Sequence, residues 1–230
     1  MSTPAGNGSA TLTDGHNPVR ALLKDRAYER IKSRLLNNDY PPGTFLSERQ
    51  LADNLGMSKT PVKAALERLE AEGYITVSPQ QGVVVRELSI HEIADQYEIR
   101  SALESYALRS VAGRLTAEQI GRVRANLDAQ ARLRGTGEVA RAVEMDAEFH
   151  TQFAEFLGNK EIMRVVIQLR DKMQRIVTQV FHLSPSRIGT SHEEHAVIAE
   201  AVIRGDGVRA AHLIERHLEL GKQLILSPRG

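Results

Sequence analysis

The stretch Ser47–Val85, SERQLADNLGMSKTPVKAALERLEAEGYITVSPQQGVVV, constrains the fold more than any other part of the chain. Ser47 followed by Gln50 reads as a capping box that opens a helix. Leu51, Ala52 and Leu55 share one face of that helix, and Gly56 supplies the left-handed residue that ends it. Met57 and Ser58 make a turn, and Ser58 is placed to cap a second helix. Pro61 is tolerated there because first-turn N–H groups have no intrahelical partner. Val62, Ala65, Leu66 and Leu69 recur at helical spacing and face inward. Two β-prone runs follow, Tyr74–Val77 and Val83–Val85, joined by a Pro- and Gly-bearing loop. Helix, turn, helix and ribbon together make a winged helix.

Charge is sorted along the second helix. Lys59, Thr60 and Lys63 lie at its N-terminal end, whereas Glu67, Glu70 and Glu72 lie toward the other. Basic and hydroxyl side chains at a helix N-terminus suit phosphates and base edges, and the helix dipole adds to the attraction. The bland alternative is an ordinary solvated helix face. This stretch, with LSERQLADNLGMSKTPVKAALERLEAEGYI and SPQQGVVV as its ungapped motifs, resembles the DNA-binding domain of the GntR family of bacterial transcription regulators. The resemblance implies that Arg49, Lys59, Thr60, Lys63, Gln81 and Gly82 meet double-stranded operator DNA. It also implies a homodimer, acting as a repressor. Lys59 and Lys63 stand where the family commonly has Arg; lysine lacks the planar fork that grips guanine, so the operator sequence does not carry over. Gly82 fits a wing tip that approaches DNA closely or adopts positive φ, and a bulkier residue there is expected to leave the fold intact while impairing binding.

The 230 residues suffice for two modest domains. Aromatics make up only 4% and Trp is absent, which favours helices packed through aliphatic stripes. The absence of Cys excludes disulfides, thiol catalysis and Cys-ligated metals. A net charge of +1 does not announce nucleic-acid binding by itself, so that reading rests on local arrangement. No apolar run is long enough to span a bilayer and no secretory signal is visible, so a cytoplasmic protein is expected.

Residues 1–17 are small and polar, and disorder is expected. Residues 18–86 then read as the winged helix-turn-helix domain, with its first helix from Val19 to Leu36. Residues 87–230 read as an antiparallel all-α bundle of about six helices, making the whole chain mainly α. Ser89 with Glu92 and Thr116 with Gln119 are capping boxes; the last two helices are expected over Ser191–Arg204 and Val208–Leu226.

Within the bundle, Asp146 and His150 sit on the apolar stripe formed by Ala142, Phe149, Phe153 and Leu157. A core-facing aspartate needs a cation, a set of donors or a metal. His195 shares a stripe with Ile198, Ala199 and Val202, and His217 with Leu213, Leu220 and Leu224. Asp206, midway between them, centres the turn, so the two imidazoles should face each other across the helix pair. One carboxylate and three imidazoles make a plausible site for one divalent ion, with zinc or nickel favoured and manganese admissible. Any one of these histidines alone reads more simply as a satisfied core residue. His212 points elsewhere, and His192, one turn before His195, reads as surface, with a place behind the ligands as the alternative.

The pattern DAEFH, EEH and RHL resembles the FCD effector-binding domain of the FadR subfamily of GntR regulators. Metal-binding members carry Asp and three His at these positions. Arg100, in IRSALES, matches a position where such domains keep an arginine near the effector, which would suit a small carboxylate; the alternative is a surface ion pair with Glu104. Three neutral imidazoles and one carboxylate leave a divalent centre with one positive charge, which would attract an anion.

A rival reading is a metal-dependent enzyme with an accessory winged-helix domain. It needs an open coordination position and a general base. The chain contains no HExxH or GxSxG segment, and no further carboxylate is evident on these stripes. A purely structural metal site is the third option.

Overall fold

The computed structural model describes residues 18–78 and 82–226, so the expected disordered tail and Gln81 fall outside the described residues. The chain divides into two compact units. One joins the described residues up to Lys32 with Phe45–Val84; the other joins Ser33–Thr44 with the chain from Val85 onward. The last turn of the first helix therefore groups with the second unit.

The smaller unit contains α1 (Pro18–Leu36) up to Lys32, β1 (Phe45–Leu46), α2 (Glu48–Leu55), α3 (Lys59–Ala71), β2 (Ile75–Ser78) and most of β3 (Gly82–Val85). Ser47 accepts from the Gln50 N–H at the start of α2, and Gly56 ends that helix at φ 63°. Its core is the expected stripe: Leu51, Ala52 and Leu55 pack with Val62, Ala65, Leu66 and Leu69. The three strands run in the order β1-β3-β2. β1 was not expected: Phe45 pairs with Val84 and Leu46 with Val83, antiparallel. Two residues are too few to show period-2 alternation, and the Pro41-Pro42-Gly43 run before them reads as loop.

The larger unit holds six helices: α4 (Ile90–Val111), α5 (Ala117–Leu133), α6 (Val139–Leu157), α7 (Lys160–Leu183), α8 (Arg187–Ile203) and α9 (Gly207–Leu226). Of the three expected capping boxes, those at Ser89 with Glu92 and at Thr116 with Gln119 form in full, whereas at Ser47 the serine's half alone is recorded. Asn159 caps α7 by accepting from the Glu161 and Ile162 N–H groups. α8 starts at Arg187, before the expected Ser191, because Ser186 is itself helical (φ −62°, ψ −22°) and the first turn follows Pro185 directly. That earlier start brings Arg187 onto the inward face.

α4 packs against α9, α6 and α7, while α8 packs against α9 and α5. The shared interior is aliphatic with a few rings: Phe149, Ile176, Ile198, Val202, Ile214 and Leu218 are all essentially inaccessible. Each such side chain contributes roughly 1.5–3 kcal/mol of burial. Among the described residues, no helix is long and apolar enough to cross a membrane.

Candidate metal centre and DNA-binding face

α6 contributes Asp146 and His150, α8 contributes His195 and α9 contributes His217, and one potential ligand atom from each lies within 4.8 Å of all the others. All four are buried, His195 completely. His195 Nε2 lies 3.2 Å from His150 Nε2 and 3.3 Å from His217 Nε2. The two helices on either side of Asp206 thus bring their histidines level. Asp146 Oδ1 lies 3.8 Å from both His150 Nε2 and His195 Nε2, in ion-pairing range but beyond a hydrogen bond. Phe149 stacks on His195 with centroids 4.1 Å apart and fixes that ring from one side.

The outer nitrogens of the three rings decide the chemistry of the inner ones. His150 Nδ1 donates to Glu104 Oε2 at 2.6 Å, and His217 Nδ1 donates to Glu194 Oε2 at 2.6 Å. His195 Nδ1 faces Gln130 Oε1 at 2.9 Å. The orientation of that amide follows from its neighbours: Gln130 Nε2 donates to Asn126 Oδ1, and Asn126 Nδ2 donates to the Met145 carbonyl. Gln130 therefore presents an acceptor, and His195 must carry its proton on Nδ1. In their neutral forms all three imidazoles point a bare Nε2 lone pair at one small volume.

Burial pushes His195 well below the ordinary imidazole range, and the neighbouring His217 and His150 add to this. Burial likewise lowers His217, to about 4, although its bond to Glu194 opposes the shift. Burial would raise Glu104, but Arg100 and then His150 outweigh it and hold the carboxyl at about 2. Glu194 behaves similarly: burial is overcome by hydrogen bonds from His217 and Arg187, again leaving about 2.

This donor set fits a divalent transition ion. Two nitrogens each about 2.1 Å from one ion, at right or tetrahedral angles, stand about 3.0–3.4 Å apart. The observed 3.2 and 3.3 Å agree with that. Three lone pairs held this close with no proton between them repel unless a cation sits among them. Outer carboxylate and amide acceptors on Nδ1 are also what orient metal-ligating histidines in general.

Glu104 and Glu194 correct the expectation that Asp146 would be the sole carboxylate near these stripes. They lie behind the imidazoles rather than among the Nε2 atoms. Arg187 grips Glu194 through both guanidinium nitrogens, each contact 2.7 Å. Arg100 does pair with Glu104, but the pair is buried, not on the surface: both residues are only 8% exposed. The i, i+4 spacing of Arg100 and Glu104 was a visible signal for one carboxylate; Arg187 fell before the expected start of its helix, and Asn126 and Gln130 carried no signal beyond helical spacing. His212 is exposed. His192 is half-buried rather than surface, and its Nδ1 has no hydrogen-bond partner.

Asp146 lines three cavities, and the two larger share further residues. One, about 280 Å³ including open solvent, is lined by Tyr97, Arg100, Asp146, Arg187 and His217 among others. The other, about 480 Å³ including open solvent, shares Arg100, Asp146 and Val177 with it.

In the winged unit Lys59, Thr60 and Lys63 are exposed at the N-terminal end of α3, and Arg49 is exposed on α2, 3.9 Å from Asp53. Ser58 occupies the N-cap position of α3 but makes no side-chain cap bond. Pro61 takes the third helical position and so removes one of the two N–H groups that a capping serine can use. Gly82 has φ 84°, and a Cβ there would lie 3.1 Å from the Leu46 carbonyl oxygen. The positive φ is one of the two reasons the sequence offered for this glycine, and a bulkier residue there would also press on the strand that carries Leu46.

Comparison with known proteins places these features in a family. The model of the bacterial regulatory proteins of the gntR family matches residues 23–85, and that of the FCD domain matches residues 95–220. The Nta operon transcriptional regulator of Aminobacter aminovorans is 28% identical over 78% of this chain and 83% of its own length. The HTH-type transcriptional repressor RspR of Escherichia coli is 24% identical over 88% of both. Among solved structures, a GntR transcriptional regulator from Rhodococcus sp. RHA1 aligns with a TM-score of 0.77 at 19% identity, over 90% of this chain and 99% of that one. E. coli McbR/YncC aligns with a TM-score of 0.73 at 20% identity, over 88% and 96%. These relatives are regulators and not enzymes, and the chain belongs with them: it is a transcription regulator of the gntR family, with an N-terminal helix-turn-helix domain followed by an FCD domain.

Proposed function

We propose that the protein is a repressor that binds a double-stranded DNA operator as a homodimer and responds to a small carboxylate effector at a divalent metal ion. Asp146, His150, His195 and His217 hold the ion. An imidazole-rich set suits zinc or nickel best, and manganese is admissible through the carboxylate. The ion and Arg100 attract the effector carboxylate, and Arg49, Lys59, Thr60, Lys63, Gln81 and Gly82 form the DNA side. Repression is supported by relatives named as repressors, RspR and a probable D-xylose utilization operon transcriptional repressor of Paenarthrobacter nicotinovorans.

The observation that carries this reading is the convergence of three imidazole Nε2 lone pairs, each with its Nδ1 proton engaged elsewhere. An effector bound beside the ion can change operator affinity only if it favours one arrangement of the bundle over another. The test is metal analysis of full-length protein purified without chelator, followed by melting with added zinc, nickel or manganese. About one ion per chain, or a clear stabilisation by one of these ions, is expected. The absence of both stoichiometric metal and any thermal shift would remove the reading.

A further inference from the structure

The two larger cavities at Asp146 differ in character. The smaller is polar, with Arg100, Arg187 and His217 around it. The larger runs along α6 and α7 and is walled by Leu103, Val143, Val166, Leu169, Met173 and Val177. Arg100 and Asp146 line both, so the two spaces adjoin at the cluster. Thr151, also on the larger wall, already donates its hydroxyl to the Ala147 carbonyl. Exposed Arg170 marks the outer rim.

The fixed charges around the junction set a limit on the ligand. Arg100 is paired with Glu104, and Arg187 with Glu194. Those two pairs cancel. Asp146 offsets one of the two charges of a divalent ion, which leaves a single positive charge in a buried site. One carboxylate neutralises it. A second carboxylate on a short ligand would lie among the apolar walls, where an unpaired ion is strongly disfavoured, because Arg170 stands only at the rim.

Resting on the metal reading above, we infer that the effector is a monocarboxylate with an apolar tail, its carboxylate beside Arg100 and the ion and its tail in the arm between α6 and α7. Sugar acids and short polycarboxylates are disfavoured because the arm's walls are mainly apolar, with Gln174 and the rim Arg170 as further polar side chains along it. Each methylene added within the arm leaves water for a hydrocarbon wall, which corresponds to about fourfold in affinity.

The experiment is calorimetric titration of zinc- or nickel-loaded full-length protein, with metal content measured on the same sample. Linear saturated acids from acetate to octanoate form the series, with succinate and citrate as comparators. Kd should fall by about fourfold per methylene until the arm is full, and succinate should bind more weakly than butanoate. Leu169→Gln and the milder Val166→Ser both alter half-buried wall positions without adding charge and should flatten the series, with acetate, which has no tail, least affected. A metal-loaded protein that binds the acids with no dependence on length, or prefers succinate or citrate, overturns the tail assignment alone. A protein that takes up no metal overturns both this inference and the reading on which it rests.

Discussion

Gln130 Oε1 accepts a hydrogen bond from His195 Nδ1 at 2.9 Å, and Gln130 is in turn oriented by Asn126. This contact lets one imidazole present a lone pair, not a proton, to the cluster. Gln130→Leu removes the acceptor at nearly constant volume, and metal affinity should fall about 10- to 100-fold. Gln130→Glu keeps an acceptor and should restore most of it. Competition against a chelator of known affinity measures both. Equal losses in the two variants would mean that Gln130 acts through packing alone.

The contrast between what was legible in the sequence and what was not follows from reach. His195 and His217 could be paired because a single tight turn at Asp206 fixes their relative height. Asp146 was conspicuous as a charge among Phe149, Phe153 and Ala142. Gln130 was not, because a glutamine at helical spacing on α5 is compatible with either face, and its partner lies 65 residues away. Arg187 escaped for a local reason: the Ser184-Pro185-Ser186 run signals a break, and only the backbone shows that the helix resumes at once. β1 is too short to carry a pattern, so its pairing with β3 is decided by tertiary contact.

At the DNA face, Lys63→Ala should weaken operator binding and reduce the slope of log affinity against log salt by about one. Lys59→Ala should do the same if it, too, meets a phosphate. Fluorescence anisotropy with operator DNA between low and moderate salt is the measurement. Unchanged slope and affinity in the double variant would remove both lysines from the interface.

Gly82 combines positive φ with a close approach to the Leu46 carbonyl. Gly82→Ala should therefore destabilise the winged unit by about 1–3 kcal/mol. A melt of the variant, compared with wild type, is the direct check. Unchanged stability with impaired operator binding would instead assign the glycine to DNA contact alone.

Glu92 is held at about 2, chiefly by the Ser89 backbone N–H, then by the Ser89 hydroxyl; slight burial opposes this and Arg86 assists. A carboxyl lowered by folding stabilises fully above its ordinary value near 4.5 and loses that contribution as pH falls toward 2. Glu92→Ala should thus cost about 1 kcal/mol at neutral pH, as expected for a lost cap. The gap to wild type should close on acidification. Thermal melts across that range test this, and a gap independent of pH would show that the cap acts through something other than the ionised carboxylate.

α7 has two duties that a single substitution can separate. Leu169, Met173 and Val177 wall the apolar arm, while Arg175, on the same helix, donates to the Arg86 carbonyl at 2.6 Å. Arg86 immediately follows the segment matched by the gntR model and precedes α4. A tail that wedges α6 from α7 would therefore pull on the chain where it leaves the helix-turn-helix domain. Arg175→Lys shortens the reach and removes the guanidinium fork while keeping the charge. Effector and metal affinities should stay near wild type, as should operator binding without effector. The effector-induced change in operator affinity should shrink, a loss of coupling of the order of 1–3 kcal/mol when complete. Measuring operator affinity with and without saturating effector in both proteins decides the matter: full coupling in the variant would mean that the signal leaves the bundle by another route.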